Sequence, residues 1–67
     1  MKLLTFVIST RNRSNTLEKI IKEIGKLNVE IIIIDDNSNN INKKKNFLIS
    51  KKFEKIKYFY LKKNYGQ

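Results

Sequence analysis

The sequence predicts an α/β fold, in which three parallel strands alternate with two helices in the order βαβαβ. Two apolar runs, residues 3–8 and 29–34, each end abruptly in small polar residues, and an amphipathic segment separates them. A third run of apolar and aromatic residues, 56–61, follows a second helix-like segment. Because crossovers between strands of one sheet are right-handed, this alternation makes the sheet parallel. Ligands bind off the carboxyl ends of such strands, which is where the polar residues stand.

The first predicted strand runs from Leu3 to Ile8. It is rich in β-forming residues and has no helical periodicity, which indicates a strand buried on both faces. A polar turn at 10–14 follows it. Asn15, with Glu18 three residues later, then matches a capping box, so we expect the first helix to begin there.

A single apolar stripe defines the first helix, because its members recur at spacings of three and four: Leu17, Ile20, Ile21, Ile24 and Leu27. Charged residues take the opposite positions, as in a surface helix. Gly25 and Asn28 are the stop signals.

The second strand, 29–34, is the clearest in the chain, because it contains four consecutive isoleucines. Such a run loses χ1 freedom in a helix and packs well on a pleated surface that is covered on both sides. We therefore expect a central strand. A loop at 35–42 follows, and its first six residues are all Asp, Asn or Ser.

A second helix is predicted from about Ile41 to Phe53, with a weak apolar stripe formed by Ile41, Phe47 and Leu48. The third strand is predicted at 56–61, where aromatic and apolar residues stand between lysines. A turn at 62–67 follows it. The predicted order of elements is thus βαβαβ.

Length and composition restrict the chemistry that is possible. The chain has 67 residues, so we expect residues 1–67 to form at most one small domain. It has no cysteine and no histidine, so a disulfide framework, a thiolate metal site and a histidine base are excluded. No segment approaches the roughly 18 apolar residues of a membrane span, and no signal peptide is evident. We therefore expect a cytoplasmic location.

The net charge of +9 is concentrated in residues 42–67, which carry nine lysines against the single acidic residue Glu54. Such a cluster suits an anionic membrane surface or nucleic acid. It also fits a plain compositional bias, because Lys, Asn and Ile make up 33 of the 67 residues, as in AT-rich coding sequence. Only Arg11 and Arg13 are arginines, and no nucleic-acid reading module is present, so no specific nucleic-acid partner is expected. Peripheral contact with the inner face of the membrane through the Lys-rich third stays open.

Three motifs stand in register along the chain: Val-Ile-Ser-Thr-Arg-Asn-Arg at 7–13, Glu-Ile-Ile-Ile-Ile-Asp-Asp-Asn-Ser at 30–38, and Asn-Tyr-Gly at 64–66. Together they resemble the N-terminal section of family 2 glycosyltransferases of the GT-A fold. The resemblance implies a truncated half of a three-layer, Rossmann-like nucleotide-binding sheet. It also implies transfer of a sugar from a nucleotide-diphosphate sugar, usually a UDP-sugar, to a hydroxyl of an acceptor glycan or lipid-linked sugar.

Carried over residue by residue, the resemblance places Ser9 and Arg11 in the base pocket and makes Asp36 the acceptor for the uracil ring N–H. An ionised carboxylate only accepts hydrogen bonds, so it suits a base edge that presents a donor. Arg11 suits stacking on the base or contact with the diphosphate. Thr10 and Asp35 are candidates for support.

Local structure offers a competing interpretation of several of these residues. Asp35, Asn37 and Ser38 are favoured in turns and at helix N-caps without any ligand. Ser9 and Thr10 could equally satisfy backbone groups at a strand end. Asn12 is expected to shape the turn only.

The departures from the family pattern bear on activity. The family's Asp-x-Asp metal motif and its acidic base are absent, and the sequence ends at Gln67, within the Asn-x-Gly motif. The complete family domain is expected to use Mg²⁺ or Mn²⁺, but this chain supplies no metal ligands and no catalytic residue. Transfer would then lack its main electrostatic and proton-transfer contributions. We expect a chain that is inactive alone, and whether it is an enzyme stays open.

The alternative function is a small basic module whose lysines contact nucleic acid or an anionic membrane, with the Asp pair serving only as a turn. A phosphoacceptor domain of the receiver type fits poorly, because the first strand ends without a carboxylate. Binding to any polyanion with an affinity that falls steeply as salt rises, and that Asp36→Ala does not change, would favour the basic module.

Overall fold

The computed structural model describes residues 4–62, and these form three strands and two helices. The elements are, in order, β1 (Thr5–Thr10), α1 (Ser14–Ile24), β2 (Glu30–Asp36), α2 (Asn40–Ser50) and β3 (Ile56–Leu61). The strands lie side by side in the order β1-β2-β3, and both neighbouring pairs are parallel. The predicted βαβαβ fold is therefore confirmed, as is the central position of β2. The motif at 64–66 and most of the predicted turn lie outside the described residues.

Alternation along β2 determines where the core lies. Ile31 and Ile33 are fully buried, whereas the isoleucines between and after them are only half-buried. The residues that pack around them come from both helices, from β3 and from the position just before β2, and they form one cluster: Leu17, Ile21, Val29, Ile49 and Ile56. Both helices thus cover the same face of the sheet, and they also contact each other.

The opposite face of the sheet is open within the described residues. Val7 of β1 is 60% exposed and Phe59 of β3 is 53% exposed. The expectation that the first two strands would be buried on both faces is therefore wrong for this part of the chain. The physical reason is that α1 and α2 lie on one side, so residues 4–62 supply the sheet and one helical layer of the predicted three-layer arrangement.

Two strands extend further than the apolar runs predict. β1 ends at Thr10, and β2 continues through Asp35 and Asp36. The ladder includes the pairs Thr10↔Asp35 and Asp36↔Leu61, so backbone pairing holds these polar residues in strand conformation. The Asp pair, predicted as loop, is thus the last part of the central strand.

The predicted N-cap of α1 is wrong. The helix begins at Ser14, and the side chain of Arg13, the N-cap residue, makes no capping hydrogen bond. The cap comes from the other helix, because Oδ1 of Asn42 accepts from the Ser14 amide at 3.1 Å and from its hydroxyl at 2.6 Å. Asn15 instead accepts a hydrogen bond from Nζ of Lys45.

The stop signal of α1 is confirmed. The helix ends at Ile24, and the amide of Gly25 donates to the carbonyl of Ile21 at 2.7 Å. The apolar stripe is confirmed in part, since Leu17 and Ile21 are buried and Ile24 is half-buried, while Ile20 and Leu27 are exposed.

The predicted apolar stripe of α2 is also wrong, because its three members face outward. Ile41 is 80% exposed, Leu48 is 57% exposed and Phe47 is 46% exposed. The face toward the sheet instead carries the polar residues Asn46 and Ser50 beside one apolar residue.

Buried hydrogen bonds explain this orientation of α2. Nδ2 of Asn46 donates to Oδ2 of Asp35 at 2.9 Å, and the hydroxyl of Ser50 donates to the carbonyl of Phe47 at 2.6 Å. These bonds compensate part of the cost of burying polar groups. No helix within residues 4–62 has the length and hydropathy needed to cross a membrane.

Candidate functional site

A depression of about 400 Å³ lies at the carboxyl ends of β1 and β2, and it is lined by Ser9, Thr10, Arg11, Arg13 and Asp36. Four of the five side chains predicted from the sequence are therefore brought together, although they belong to two segments about 25 residues apart. The fifth predicted residue, Asp35, does not line the depression. Arg13 was not predicted.

Strand alternation separates the two neighbouring carboxylates. Side chains of consecutive strand residues point to opposite faces of a sheet, so Asp35 and Asp36 point in opposite directions. Asp35 faces the helices and is fully buried, while Asp36 is half-buried at the edge of the depression. Ser9 pairs with Ile34, two residues before Asp36, and therefore shares its side of the sheet. Asp35 is thus held inside the fold, whereas Asp36 lines the depression.

Donors from three residues surround the buried carboxylate of Asp35. Its Oδ1 accepts from the amide of Ser38 at 2.9 Å, and its Oδ2 accepts from Nδ2 of Asn46 at 2.9 Å and from the hydroxyl of Tyr58 at 2.6 Å. Burial raises the pKa of Asp35, but the hydrogen bonds from Ser38, Tyr58 and Asn46 outweigh burial, so the pKa lies below its ordinary value. Asp35 therefore stays ionised and fixes the start of the β2–α2 loop.

The same contact acts on Tyr58 in the opposite direction. Burial, together with the hydrogen bond to the Asp35 carboxylate, raises the pKa of the Tyr58 hydroxyl well above its ordinary value. The hydroxyl therefore remains a donor. Within the described residues, Oδ1 of Asn46 is buried without a hydrogen-bond partner, so the hydrogen-bonding capacity of this polar cluster is not fully satisfied.

Two reciprocal hydrogen bonds join the β1–α1 loop to the β2–α2 loop. The amide of Asn12 donates to the hydroxyl oxygen of Ser38 at 2.9 Å, and the amide of Asn39 donates to Oδ1 of Asn12 at 2.7 Å. We call these three residues the loop clasp. The β1–α1 loop carries Arg11 and Arg13, and the β2–α2 loop directly follows Asp36, so the loop clasp joins the two segments that border the depression and holds their separation. The structural role expected for Asn12 is thus confirmed.

The backbone of both loops needs residues that tolerate positive φ. Asn12 has a φ of 53° and Asn37 has a φ of 63°, and asparagine is one of the few residues that occupy this region readily. Tyr60 of β3 holds the second loop from outside, because its hydroxyl lies 3.1 Å from Oδ1 of Asn37 and 3.0 Å from the carbonyl of Ser38. Both loops are therefore held in one conformation.

The depression combines two guanidinium groups with one carboxylate. Arg11 and Arg13 can each donate several hydrogen bonds in a planar fork, which matches phosphate oxygens. Asp36 can accept from an N–H group. Within residues 4–62, no group of three or more acidic side chains could hold a metal ion. The arrangement suits an organic anion that also presents a hydrogen-bond donor.

Sequence reasoning missed Arg13, although its position two residues after Arg11 was a usable signal. It also missed Asn42 and Tyr58, which lie 28 and 23 residues from their partners Ser14 and Asp35. Nothing local distinguishes these two residues from other polar positions, so only the fold identifies them.

Comparison with protein families identifies the family to which the chain belongs. The family model described as glycosyl transferase family 2 matches residues 5–67, which include every strand and helix and all residues of the depression. The chain belongs to glycosyl transferase family 2. No curated protein matches it significantly.

Membership of glycosyl transferase family 2 confirms the resemblance drawn from the sequence motifs. At the level of the family it indicates transfer of a sugar from a nucleotide-sugar donor to an acceptor. The predicted binding roles of the individual residues in this family 2 chain stay predictions.

Proposed function

We propose that this glycosyl transferase family 2 chain binds the nucleotide of a nucleotide-diphosphate sugar, with uracil as the base, in the depression at the ends of β1 and β2. The observation that carries the proposal is that Asp36 lines the same depression as Ser9 and Arg11. These residues stand at the carboxyl ends of adjacent parallel strands, where open α/β sheets bind ligands. The volume of about 400 Å³ lies within the range of small-molecule sites.

Asp36 is proposed to select the base. Uracil presents a ring N–H at the edge where cytosine presents an acceptor nitrogen, so a carboxylate at that edge favours uracil. Hydrogen bonds to charged groups contribute about 1.5–3 kcal/mol, which corresponds to roughly 10- to 100-fold in affinity. Ser9 and Thr10 would border the base.

Arg11 and Arg13 are proposed to meet the base and the diphosphate. Both line the depression together with Asp36. A guanidinium can stack on a base or pair with phosphate oxygens through two parallel hydrogen bonds. We assign Arg13 to the diphosphate, while Arg11 is suited to either role.

The acceptor would be a hydroxyl of a glycan or of a lipid-linked sugar, and a cytoplasmic location is part of the proposal. This chain would contribute donor binding only. Mg²⁺ or Mn²⁺ is expected for the complete family domain, but the acidic side chains among residues 4–62 do not fit such an ion, so no step is derived through it. No catalytic residue is assigned for the same region.

Calorimetric titration of the 67-residue chain with UDP, CDP and ADP tests the proposal. We expect UDP to bind most tightly. Asp36→Asn should lower the affinity for UDP roughly 10- to 100-fold and reduce the ratio of UDP affinity to CDP affinity. Glu30→Gln is the matched control, because Glu30 lies at the other end of β2 and pairs with Lys57 at 3.3 Å. It should leave UDP affinity unchanged.

Two results would overturn the proposal. If Asp36→Asn binds UDP as wild type does, the carboxylate does not read the base. If all polyanions bind with an affinity that falls steeply with salt and ignores Asp36→Ala, the chain is a basic binding module instead.

A further inference from the structure

The outward side of α2 carries apolar side chains between lysines. We call Ile41, Lys44, Phe47, Leu48 and Lys51 the α2 outer surface. Their spacings of three, six, seven and ten residues place them on one side of a helix, and all five are exposed. This side chain pattern is the reverse of a normal surface helix, which buries its apolar residues.

The reversal is specific to α2. In α1 the most buried residues are Leu17 and Ile21, as the pattern predicts. In α2 the buried side includes Asn46 and Ser50, while Ile41 is the most exposed of the large apolar residues in the described part of the chain. A contiguous cluster of exposed apolar residues marks a contact surface more often than single exposed apolar residues scattered over a protein do.

The charge of this region has one sign. Residues 37–53 contain no aspartate or glutamate and carry five lysines: Lys43, Lys44, Lys45, Lys51 and Lys52. The long lysine side chains lie beside aromatic rings, since Nζ of Lys51 is 5.0 Å from the ring centre of Phe47 and Nζ of Lys43 is 4.1 Å from that of Tyr60. Apolar groups and ammonium groups are thus presented together.

We propose that the α2 outer surface binds an anionic lipid bilayer, with Ile41 and Leu48 entering the headgroup region and Lys44 and Lys51 pairing with lipid phosphates and carboxylates. Helices that lie in a membrane interface combine these two classes of side chain. Each lysine near an anionic leaflet contributes about fivefold to binding. Neither contact involves the residues of the nucleotide site, so the proposal is independent of nucleotide binding.

Two other occupants fit this surface less well. Nucleic acid would pair with lysines but would gain little from exposed Ile41 and Leu48, and the region has no arginine. A second copy of the chain would bring two surfaces of equal positive charge together, on a molecule of net charge +9. A bilayer satisfies both the apolar and the charged groups.

A single tryptophan reports the contact directly, because the chain has none of its own. Leu48→Trp should show a blue-shifted emission with vesicles of phosphatidylcholine and phosphatidylserine, and brominated lipid should quench it. Leu27→Trp is the control, since Leu27 is exposed in the α1–β2 connection and should show neither change. If the wild-type chain floats with the vesicles while the Leu48→Trp emission is neither shifted nor quenched, the proposal that the α2 outer surface contacts the bilayer is overturned.

Vesicle flotation of the full chain separates the two contributions. Lys44→Gln with Lys51→Gln should weaken binding about 10- to 30-fold, and Ile41→Gln with Leu48→Gln should weaken it about tenfold or more. Lys19→Gln with Lys26→Gln, two exposed lysines near α1, is the matched control and should change binding far less. Far-UV circular dichroism checks that each variant is folded.

Three outcomes contradict the proposal. The chain could fail to float with anionic vesicles, or the α1-side lysine variant could weaken binding as much as the α2 variant does. The third is tighter binding to an oligonucleotide than to vesicles, unchanged by Ile41→Gln with Leu48→Gln, which would identify nucleic acid as the partner.

Discussion

The hydroxyl of Tyr58 in β3 lies 2.6 Å from Oδ2 of Asp35 in β2, and this contact ties two neighbouring strands together through a fully buried carboxylate. Asp35 is adjacent in sequence to Asp36, which lines the depression. A short hydrogen bond in the core therefore fixes the backbone from which the proposed base-reading residue projects.

Tyr58→Phe should lower the free energy of unfolding by about 1.5–3 kcal/mol, because it removes a hydrogen-bond donor from a buried charge. Urea denaturation measures the change. Tyr60→Phe is the matched control, since the Tyr60 hydroxyl contacts neutral groups at 3.0–3.1 Å, and it should cost about 0.5–1.5 kcal/mol. Equal losses in the two variants would show that the charge of Asp35 adds nothing.

The free energy of unfolding should fall at both acidic and alkaline pH because of the hydrogen-bonded pair of Asp35 and Tyr58. The pKa of Asp35 is lowered in the folded state, so its contribution is complete above the unfolded value of about 3.9 and is lost as pH falls toward the lower folded value. The pKa of Tyr58 is raised, so its contribution is complete below about 10 and is lost as pH rises above that. Urea midpoints measured across pH should show both declines, and Tyr58→Phe should remove the alkaline decline that belongs to this residue.

Asn12→Ala should destabilise the chain more than Asn12→Gly does. Both variants lose the acceptor for the Asn39 amide, but alanine also resists the φ of 53° that glycine accepts. We expect losses of about 2 kcal/mol and about 1 kcal/mol, respectively, in the free energy of unfolding. Thermal unfolding of the two variants side by side makes the comparison, and identical midpoints would argue against a conformational contribution.

Asn42→Ala should cost about 0.5–2 kcal/mol, because it removes the cap of α1. Asn42→Asp keeps an acceptor for Ser14 and adds a negative charge near the N-termini of both helices, so it should be closer to wild type. Asn40→Ala, an exposed substitution in the same turn, serves as control in the same melts. Equal destabilisation by Asn42→Asp and Asn42→Ala would mean that capping is not the role of this side chain.

Gly25→Ala should destabilise the chain by about 1–3 kcal/mol, although the φ of −62° at this position suits alanine. An added Cβ would lie 2.5 Å from the carbonyl oxygen of Ile21 and 2.9 Å from the ring of Phe53, so backbone and ring must both shift. Lys26→Ala, at the exposed next position, controls for a change near the helix end. Equal midpoints of thermal unfolding for Gly25→Ala and Lys26→Ala would contradict the close packing of Gly25 against Ile21 and Phe53.

The sequence was sufficient for the order of elements, and the resemblance to family 2 glycosyltransferases supplied four of the five residues of the depression. The isoleucine run of β2 has a β-branched composition that favours a strand, and the parallel order then brings Ser9 and Asp36 to one edge of the sheet. Local pattern and topology therefore indicate the edge of the sheet where the site lies, and the resemblance names its residues.

The faces of the elements could not be predicted in the same way. Asn46 is buried because Asp35 needs a donor there, and this partner lies 11 residues away. The open face that exposes Val7 follows from both helices lying on one side, which the composition of a strand does not encode. Hydropathy describes a residue alone, whereas its burial depends on what the fold places beside it.

The loop clasp has a consequence for how the depression behaves in solution. It is built from two backbone amides, one side-chain amide and one hydroxyl, and none of these groups ionises in ordinary buffers. The width of the depression should therefore stay constant while the charges of Arg11, Arg13 and Asp36 are screened by added salt. A change of ligand affinity with ionic strength then measures charge interactions alone, and the phosphates that a ligand uses can be counted on a site of constant shape.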